Sequence, residues 1–178
     1  SSYVSSERAL IEHARTLLSD VGLNAIEHSR GFLKPASGAA ELASRLAEND
    51  IVASDDRDLV EKLLFQQLLT APQFAGVFYG DEQGNFIYLM RSDGPGPFRS
   101  KIVTRQGADR HTDLIWRDRA YRVVARSDDP EDDFDPRNRP WYQNAQGQQG
   151  TIWTDPYIFF SSQEPGITVA SPVFGDSG

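Results

Sequence analysis

Two arginines, two prolines and two adjacent aromatics occupy the eight residues Asp135-Pro136-Arg137-Asn138-Arg139-Pro140-Trp141-Tyr142. Trp153 and Tyr157 follow, so Arg139, Trp141, Tyr142, Trp153 and Tyr157 fall within nineteen residues. The chemistry such a set can do is recognition of an anion. A guanidinium is a planar fork of donors that matches a carboxylate, and Trp and Tyr supply apolar walls with polar tips. The prolines fix φ and pre-shape the path of the chain. The ordinary alternative is that the rings fill a core and Arg139 pairs with an acid such as Asp135. An arginine buried beside aromatics needs an acceptor, and where the protein lacks one the acceptor falls to a ligand.

Other chemistries find little support. His13, His28 and His111 are scattered, without His-x-x-x-His spacing, and the chain has no cysteine. A zinc site, a thiol nucleophile and a structural disulfide are therefore not expected. There is no Walker loop, no Gly-x-Ser-x-Gly elbow and no Gly-x-Gly-x-x-Gly. No acid/base pair is assigned, so the chain is expected to be neither an enzyme nor a holder of a cofactor or metal. Asp128 to Asp135 is rich in acids, but they are bunched and lack the central glycine of a calcium loop, so a solvated charge run is expected. A formal net charge of −8 disfavours a nucleic-acid partner. No window approaches the roughly 20 apolar residues of a membrane span.

The elements that must position the aromatic cluster follow from periodicity. Ser5 to about Phe32 carries Leu10, Ala14, Leu17, Leu18, Val21 and Ala25 at helical steps. A helix of that length either spans the domain as a spine or pairs with a copy of itself in a homodimer. Lys34-Pro35 is expected to break it, with Gly38 keeping the break loose. Ala39–Ala47 and Leu59–Leu69 read as further helices, the second with Leu59, Leu63 and Leu64 on one face and Pro72 at its end.

Beyond residue 72 the period changes to that of strands. Phe74–Tyr79 and Phe86–Met90 form a hairpin around an Asp/Gly turn. Lys101–Arg105, Leu114–Arg117 and Tyr121–Arg126 are three more strands, the last two paired across Asp118-Arg119. Asn138–Ala145 reads as a short helix that tolerates Pro140 in its first turn and is ended by Gly147 and Gly150. Thr151–Trp153 and Tyr157–Phe160 are short extended pieces, and Gly166–Phe174 is a final strand containing Pro172. The expected fold is α+β, with an antiparallel sheet of about five or six strands. Residues 1–72 would hold a stalk helix and short helices, and residues 73–178 a binding module.

The run Asp135 to Ala145 (Asp-Pro-Arg-x-Arg-Pro-Trp-Tyr-x-x-Ala) resembles the signature of double-Cache domains. So do Trp153-Thr154-Asp155-Pro156-Tyr157 and Gly166 to Val173. These are PAS-like, extracytoplasmic ligand-binding domains of bacterial transmembrane receptors. The resemblance covers the chain from Phe74 onward and implies a periplasmic or extracellular sensor module of a membrane-anchored protein. It also implies that residues matching Arg139, Trp141 and Tyr142 grip the carboxylate side of an amino-acid ligand, while Tyr157 helps close the pocket. Members that bind amino acids carry an aspartate just after the Pro-Tyr pair, where this chain has Ile158-Phe159-Phe160. Another aspartate follows their last strand. The implied ligand is thus a small carboxylate-bearing molecule rather than an amino acid as such. The chain would be the membrane-distal module, with the last strand beyond it. A nucleotide cyclase, histidine kinase, diguanylate cyclase or chemoreceptor would serve as cytoplasmic output. The alternative is a ligand-free dimerisation or protein-partner module of the same fold.

Overall fold

The computed structural model describes residues 34–175. The helix expected from Ser5 to Phe32, and any homodimer built on it, lie outside those residues. Residues 34–48 are helical (α1). The looseness expected at Gly38 is thus absent, since a glycine in a helix costs only about 1 kcal/mol relative to alanine, while the break expected at Lys34-Pro35 borders residues outside the described ones. Helix α2 runs from Arg57 to Thr70. It starts where Asp56 accepts a hydrogen bond from the Leu59 backbone N–H at 3.1 Å, the usual N-cap arrangement. Its far end is closed by Arg91, whose guanidinium donates to the carbonyls of Leu68, Ala71 and Phe74 at 2.9–3.1 Å. The buried stripe is Val60, Glu61, Leu64, Phe65 and Leu68. Leu59, expected on that face, is 45% exposed; the helix is rotated so that Val60 takes its place and Glu61 goes inside.

The strands are β1 (Gly76–Gly80), β2 (Phe86–Arg91), β3 (Phe98–Gln106), β4 (Asp109–Arg117) and β5 (Val123–Asp128). They form one antiparallel sheet in the order β1-β2-β3-β4-β5. Each turn has a local cause. Asp81 accepts from the backbone N–H groups of Gln83 and Asn85, and Gly84 takes a positive φ of 87°. Asp118 does the same for Ala120 and Arg122. The tight β3–β4 turn at Gly107, φ 61°, lies between strands that are longer than periodicity alone suggested.

Side chains alternate across the sheet. Ile87 and Leu89 of β2 and Phe98 of β3 pack on Val60, Leu64, Phe65 and Leu68 of α2. Helix α1 from Ser37 onward and helix α2 belong with the strands in one compact unit, Ser37–Gly178. Phe86, Tyr88 and Val103 face the other way, onto a layer made by the C-terminal third of the chain. That layer begins with a 3-10 turn, Pro136–Asn138, and helix α3, Pro140–Gln148. Helix α3 runs through Gly147 and ends at Gln149, which itself adopts the left-handed conformation at φ 52°. Four two-residue strands follow: β6 (Ile152–Trp153), β7 (Tyr157–Ile158), β8 (Pro165–Gly166) and β9 (Val169–Ala170). β6 pairs with β9 and β7 with β8. The long final strand expected over Gly166–Phe174 is therefore reduced to two residues, and Pro172 lies outside it.

Candidate ligand-binding site

The Asp135–Tyr142 segment resolves its charges locally. The Asp135 carboxylate accepts from the Arg137 backbone N–H at 3.0 Å and from the Arg137 guanidinium at 2.7 Å, with Arg105 at 3.5 Å. The Arg137 hydrogen bond, working against some burial, holds the Asp135 carboxyl below the usual carboxylate range. The acid nearest in sequence is thus committed to Arg137 and Arg105, and Arg139 has no carboxylate partner among the described residues. Arg139 occupies the N-cap position of α3 without a side-chain capping bond. Its guanidinium instead reaches the β7–β8 hairpin, donating to the Ile158 carbonyl at 2.9 Å and lying 5.5 Å from the centre of the Tyr157 ring.

Tyr157 is anchored from the other side. Its hydroxyl shares a hydrogen bond of 2.6 Å with Thr168 Oγ1. Thr168 is buried and interlocked with Thr154, each donating its backbone N–H to the other at 2.9 Å. Burial raises the Tyr157 hydroxyl's pKa, while Thr168 and Arg139 pull it back. The Phe159 ring stacks edge-on against Tyr157 at 5.1 Å and lies over Gly166, where a Cβ would collide with it. Arg139 and Tyr157 are therefore brought together on a braced hairpin.

The remaining expected residues fare differently. Trp141 is 8% exposed and packs on Phe78 and Phe86, with ring centres 4.7 and 6.2 Å away. It fixes α3 to the sheet. Tyr142 is half-buried, edge-on to Trp141 at 5.7 Å. Burial first, then Glu82 and Asp81, raise its pKa. Trp153 is 43% exposed on β6; the structure does not bring it to Arg139.

The sheet contributes residues that periodicity and motif did not single out. Tyr88 of β2 and Arg99 and Lys101 of β3 share the face turned to this layer, with Met90 paired to Arg99 and Tyr88 to Lys101. Burial raises the pKa of Tyr88, Arg99 lowers it and Tyr157 raises it again. Lys101 is neutralised: its ammonium lies 2.7 Å from Asp132, which also binds Arg110 at 2.6 Å and the Thr112 hydroxyl at 2.8 Å. Asp132 is buried, with its side chain 3% exposed. The expectation of a solvated acidic run is corrected at this residue, because three donors on β3 and β4 hold the carboxylate inside. Burial opposes its ionisation, but the bonds from Lys101 and Thr112 outweigh that and lower its pKa. Lys101 also lies 4.9 and 5.1 Å from the rings of Phe134 and Phe160. The signal available in sequence was the pair of cations, Arg99 and Lys101, at alternate positions of β3 and so on one face.

A groove of about 850 Å³ lies elsewhere, between residues 53–58 and the ends of β1, β2 and β3. None of the five expected residues lines it. Its charged lining is Asp55, Asp56, Asp58 and Asp81 against Arg57 and Arg105, a balance that repels an anion. Among the described residues no cluster of three or more His, Asp or Glu is arranged to hold a metal ion. No helix among them is long and apolar enough to cross a membrane.

A five-stranded antiparallel sheet with a helix on one face and a helix-and-hairpin layer on the other is an α+β fold consistent with a PAS-like domain. The ligand-binding domain of Mlp24, solved with asparagine, superposes with a TM-score of 0.57 at 18% identity. The match covers 93% of this chain and 55% of that one, so this chain spans about half of the Mlp24 domain. Over 41 residues the chain is 54% identical to the methyl-accepting chemotaxis protein PscA of Pseudomonas syringae pv. tomato. That stretch is 23% of this chain and 6% of PscA. No protein-family model matches the chain.

Proposed function

We propose that the chain is the extracytoplasmic sensor module of a membrane-anchored bacterial receptor of the chemotaxis type. Its ligand is a small carboxylate-bearing molecule, held between the sheet face bearing Tyr88 and the layer formed by α3 and the β7–β8 hairpin. The observation that carries this reading is Arg139, a half-buried guanidinium with no carboxylate partner, placed beside Tyr157 on a braced hairpin. Burying a cation without an anion is unfavourable, and a ligand carboxylate would relieve it. The asparagine-bound structural neighbour supports a ligand of this kind, and the local match to a chemotaxis receptor supports that output over a cyclase or kinase. Signalling follows if the ligand binds one arrangement of hairpin and sheet better than another.

A thermal-shift panel of amino acids and organic acids, asparagine among them, tests the reading. A ligand at a hundredfold excess over its Kd stabilises the fold by about 2.7 kcal/mol. Arg139→Ala should abolish that shift and leave the unliganded melting temperature within a few degrees of the parent. An Arg139→Ala protein that still responds would move the site elsewhere, and a panel without any hit would favour a ligand-free partner module.

A further inference from the structure

A second guanidinium faces the same layer. The half-buried arginines of the described chain nearly all have partners that explain them. Arg105, Arg110, Arg117 and Arg137 pair with carboxylates, and Arg91 closes the end of α2. Arg139 and Arg99 remain. Arg99 pairs with no carboxylate among the described residues. Its Nη2 donates to the Met90 sulfur at 2.9 Å, a weak acceptor, and its Nε–H is buried without any hydrogen-bond partner. Leaving a charged donor unmet inside a protein is costly.

Arg99 sits on the central strand of the sheet, between Met90 on β2 and Trp116 on β4, one pleat from Lys101 on the same face. Lys101 cannot serve as an anion site, because Asp132 already neutralises it at 2.7 Å. Tyr88 lies on the same face and packs, with Tyr157, against the one cluster of Phe86, Val103, Phe134 and Trp141, and Tyr157 carries the Arg139 guanidinium near its ring. Two guanidiniums without a carboxylate partner among the described residues thus belong to the sheet face and to the layer packed on it.

The geometry points to Arg99 as a second anion anchor, so that the ligand carries two anionic groups, one held by Arg139 from the hairpin side and one by Arg99 from the sheet. This inference rests on the reading of the cleft as the binding site and adds the class of ligand: a short dicarboxylate, with or without an amino group. Such a ligand neutralises both cations at once, whereas a monoanion leaves one of them half-buried and unpaired. The tyrosine rings then form the walls along its hydrocarbon segment.

Isosteric pairs that differ only in the second charge isolate this claim. Binding of succinate and succinamate, and of L-aspartate and L-asparagine, is measured by titration calorimetry on the 178-residue chain and on its variants. In at least one pair the dianionic member should bind about tenfold or more tightly, the scale expected of one charge-assisted hydrogen bond. Arg99→Met should erase that preference while the amide compound still binds, and Arg99→Lys, which keeps the charge but loses the fork, should retain part of it. Unliganded melting curves show whether each variant is folded. Equal affinity within both pairs, or an unchanged ratio in a folded Arg99→Met, overturns the second anchor and leaves the Arg139 reading standing. Absence of binding by all four compounds overturns the second anchor. Binding of the amides that survives Arg139→Ala overturns the cleft itself.

Discussion

Replacing Asp132 by Asn tests whether the acidic loop is a structural post or a solvated run. The wild-type carboxylate, 3% exposed, meets Lys101 at 2.7 Å, Arg110 at 2.6 Å and the Thr112 hydroxyl at 2.8 Å. Asparagine keeps the volume and one acceptor oxygen, but it presents an amide N–H₂ to two cations and removes the charge that compensates them. Lys101 is 6% exposed and Arg110 16%, so neither reaches water freely. Arg110 retains its bond to the Phe134 carbonyl at 3.1 Å, which limits the damage on that side. Breaking a buried pair from one side costs about 3–5 kcal/mol, and the lower end, about 3 kcal/mol, applies here.

The control is one residue away. Asp133→Asn makes the same chemical change at an exposed position with no ion pair among the described residues, and should fall within about 0.5 kcal/mol of the parent. Urea unfolding followed by tryptophan fluorescence reads both, since Trp141 is buried in the core. With a slope of about 2 kcal/mol/M, Asp132→Asn should lower the midpoint by roughly 1.5 M and Asp133→Asn by less than about 0.3 M. Equal shifts for the two variants would show that the Asp132 pairs behave as exposed ion pairs, which contribute about 0–1 kcal/mol, and the post would be refuted.

Three further outcomes are expected. Glu61 is buried and binds the Ser100 hydroxyl at 2.7 Å and Arg117 at 2.9 Å, so Glu61→Ala should cost about 3–5 kcal/mol in urea unfolding. Glu61→Leu combined with Arg117→Met should recover most of that loss, because a buried pair replaced by apolar residues is often neutral; a double variant as weak as the single one would contradict this. Asp132 and Asp135 have depressed folded-state pKa values, so their stabilisation is present above the unfolded carboxyl value of about 3.9 and is lost as pH falls through the folded values. The melting temperature should therefore drop steeply below about pH 4, and less steeply in Asp132→Asn; parallel curves would argue against the assignment. Gly80→Ala places a Cβ 2.8 Å from Pro136 and 2.9 Å from the Trp141 ring, which should cost about 1–3 kcal/mol by overpacking and perturb Trp141 emission, whereas Gly107→Ala, with open space around it but φ 61°, should cost backbone strain alone and leave that emission unchanged.

The elements were legible where a period could be read, and the order of helices, hairpin and strands follows from it. What escaped was burial of charge. Glu61 and Asp132 look like surface residues in sequence because their partners come from far along the chain: Arg117 is 56 positions from Glu61, and Lys101 is 31 from Asp132. The phase of α2 differs from the expected one for the same reason, since leucine spacing favours Leu59 inside whereas the buried stripe includes Glu61. Aromatic identity was equally silent about direction. Trp141 and Trp153 belong to one expected site, yet one is core and the other is 43% exposed.

The site itself turns on a choice that sequence leaves open. Asp135 precedes two arginines, Arg137 and Arg139, and either could have taken its carboxylate. The 3-10 turn decides between them. Asp135 accepts the Arg137 backbone N–H to start that turn, and this brings the Arg137 guanidinium back onto the same carboxylate at 2.7 Å. Pro140 then starts α3 and leaves Arg139 at its N-cap, with the guanidinium directed to the Ile158 carbonyl on the hairpin. Arg99 completes the pattern in the opposite way: nothing in its strand marks it, and its meaning lies in the partner it lacks. A local acid–base pairing thus consumes the nearby anion, and Arg139 and Arg99 are left without a carboxylate among the described residues, the pattern on which the proposed doubly charged ligand rests.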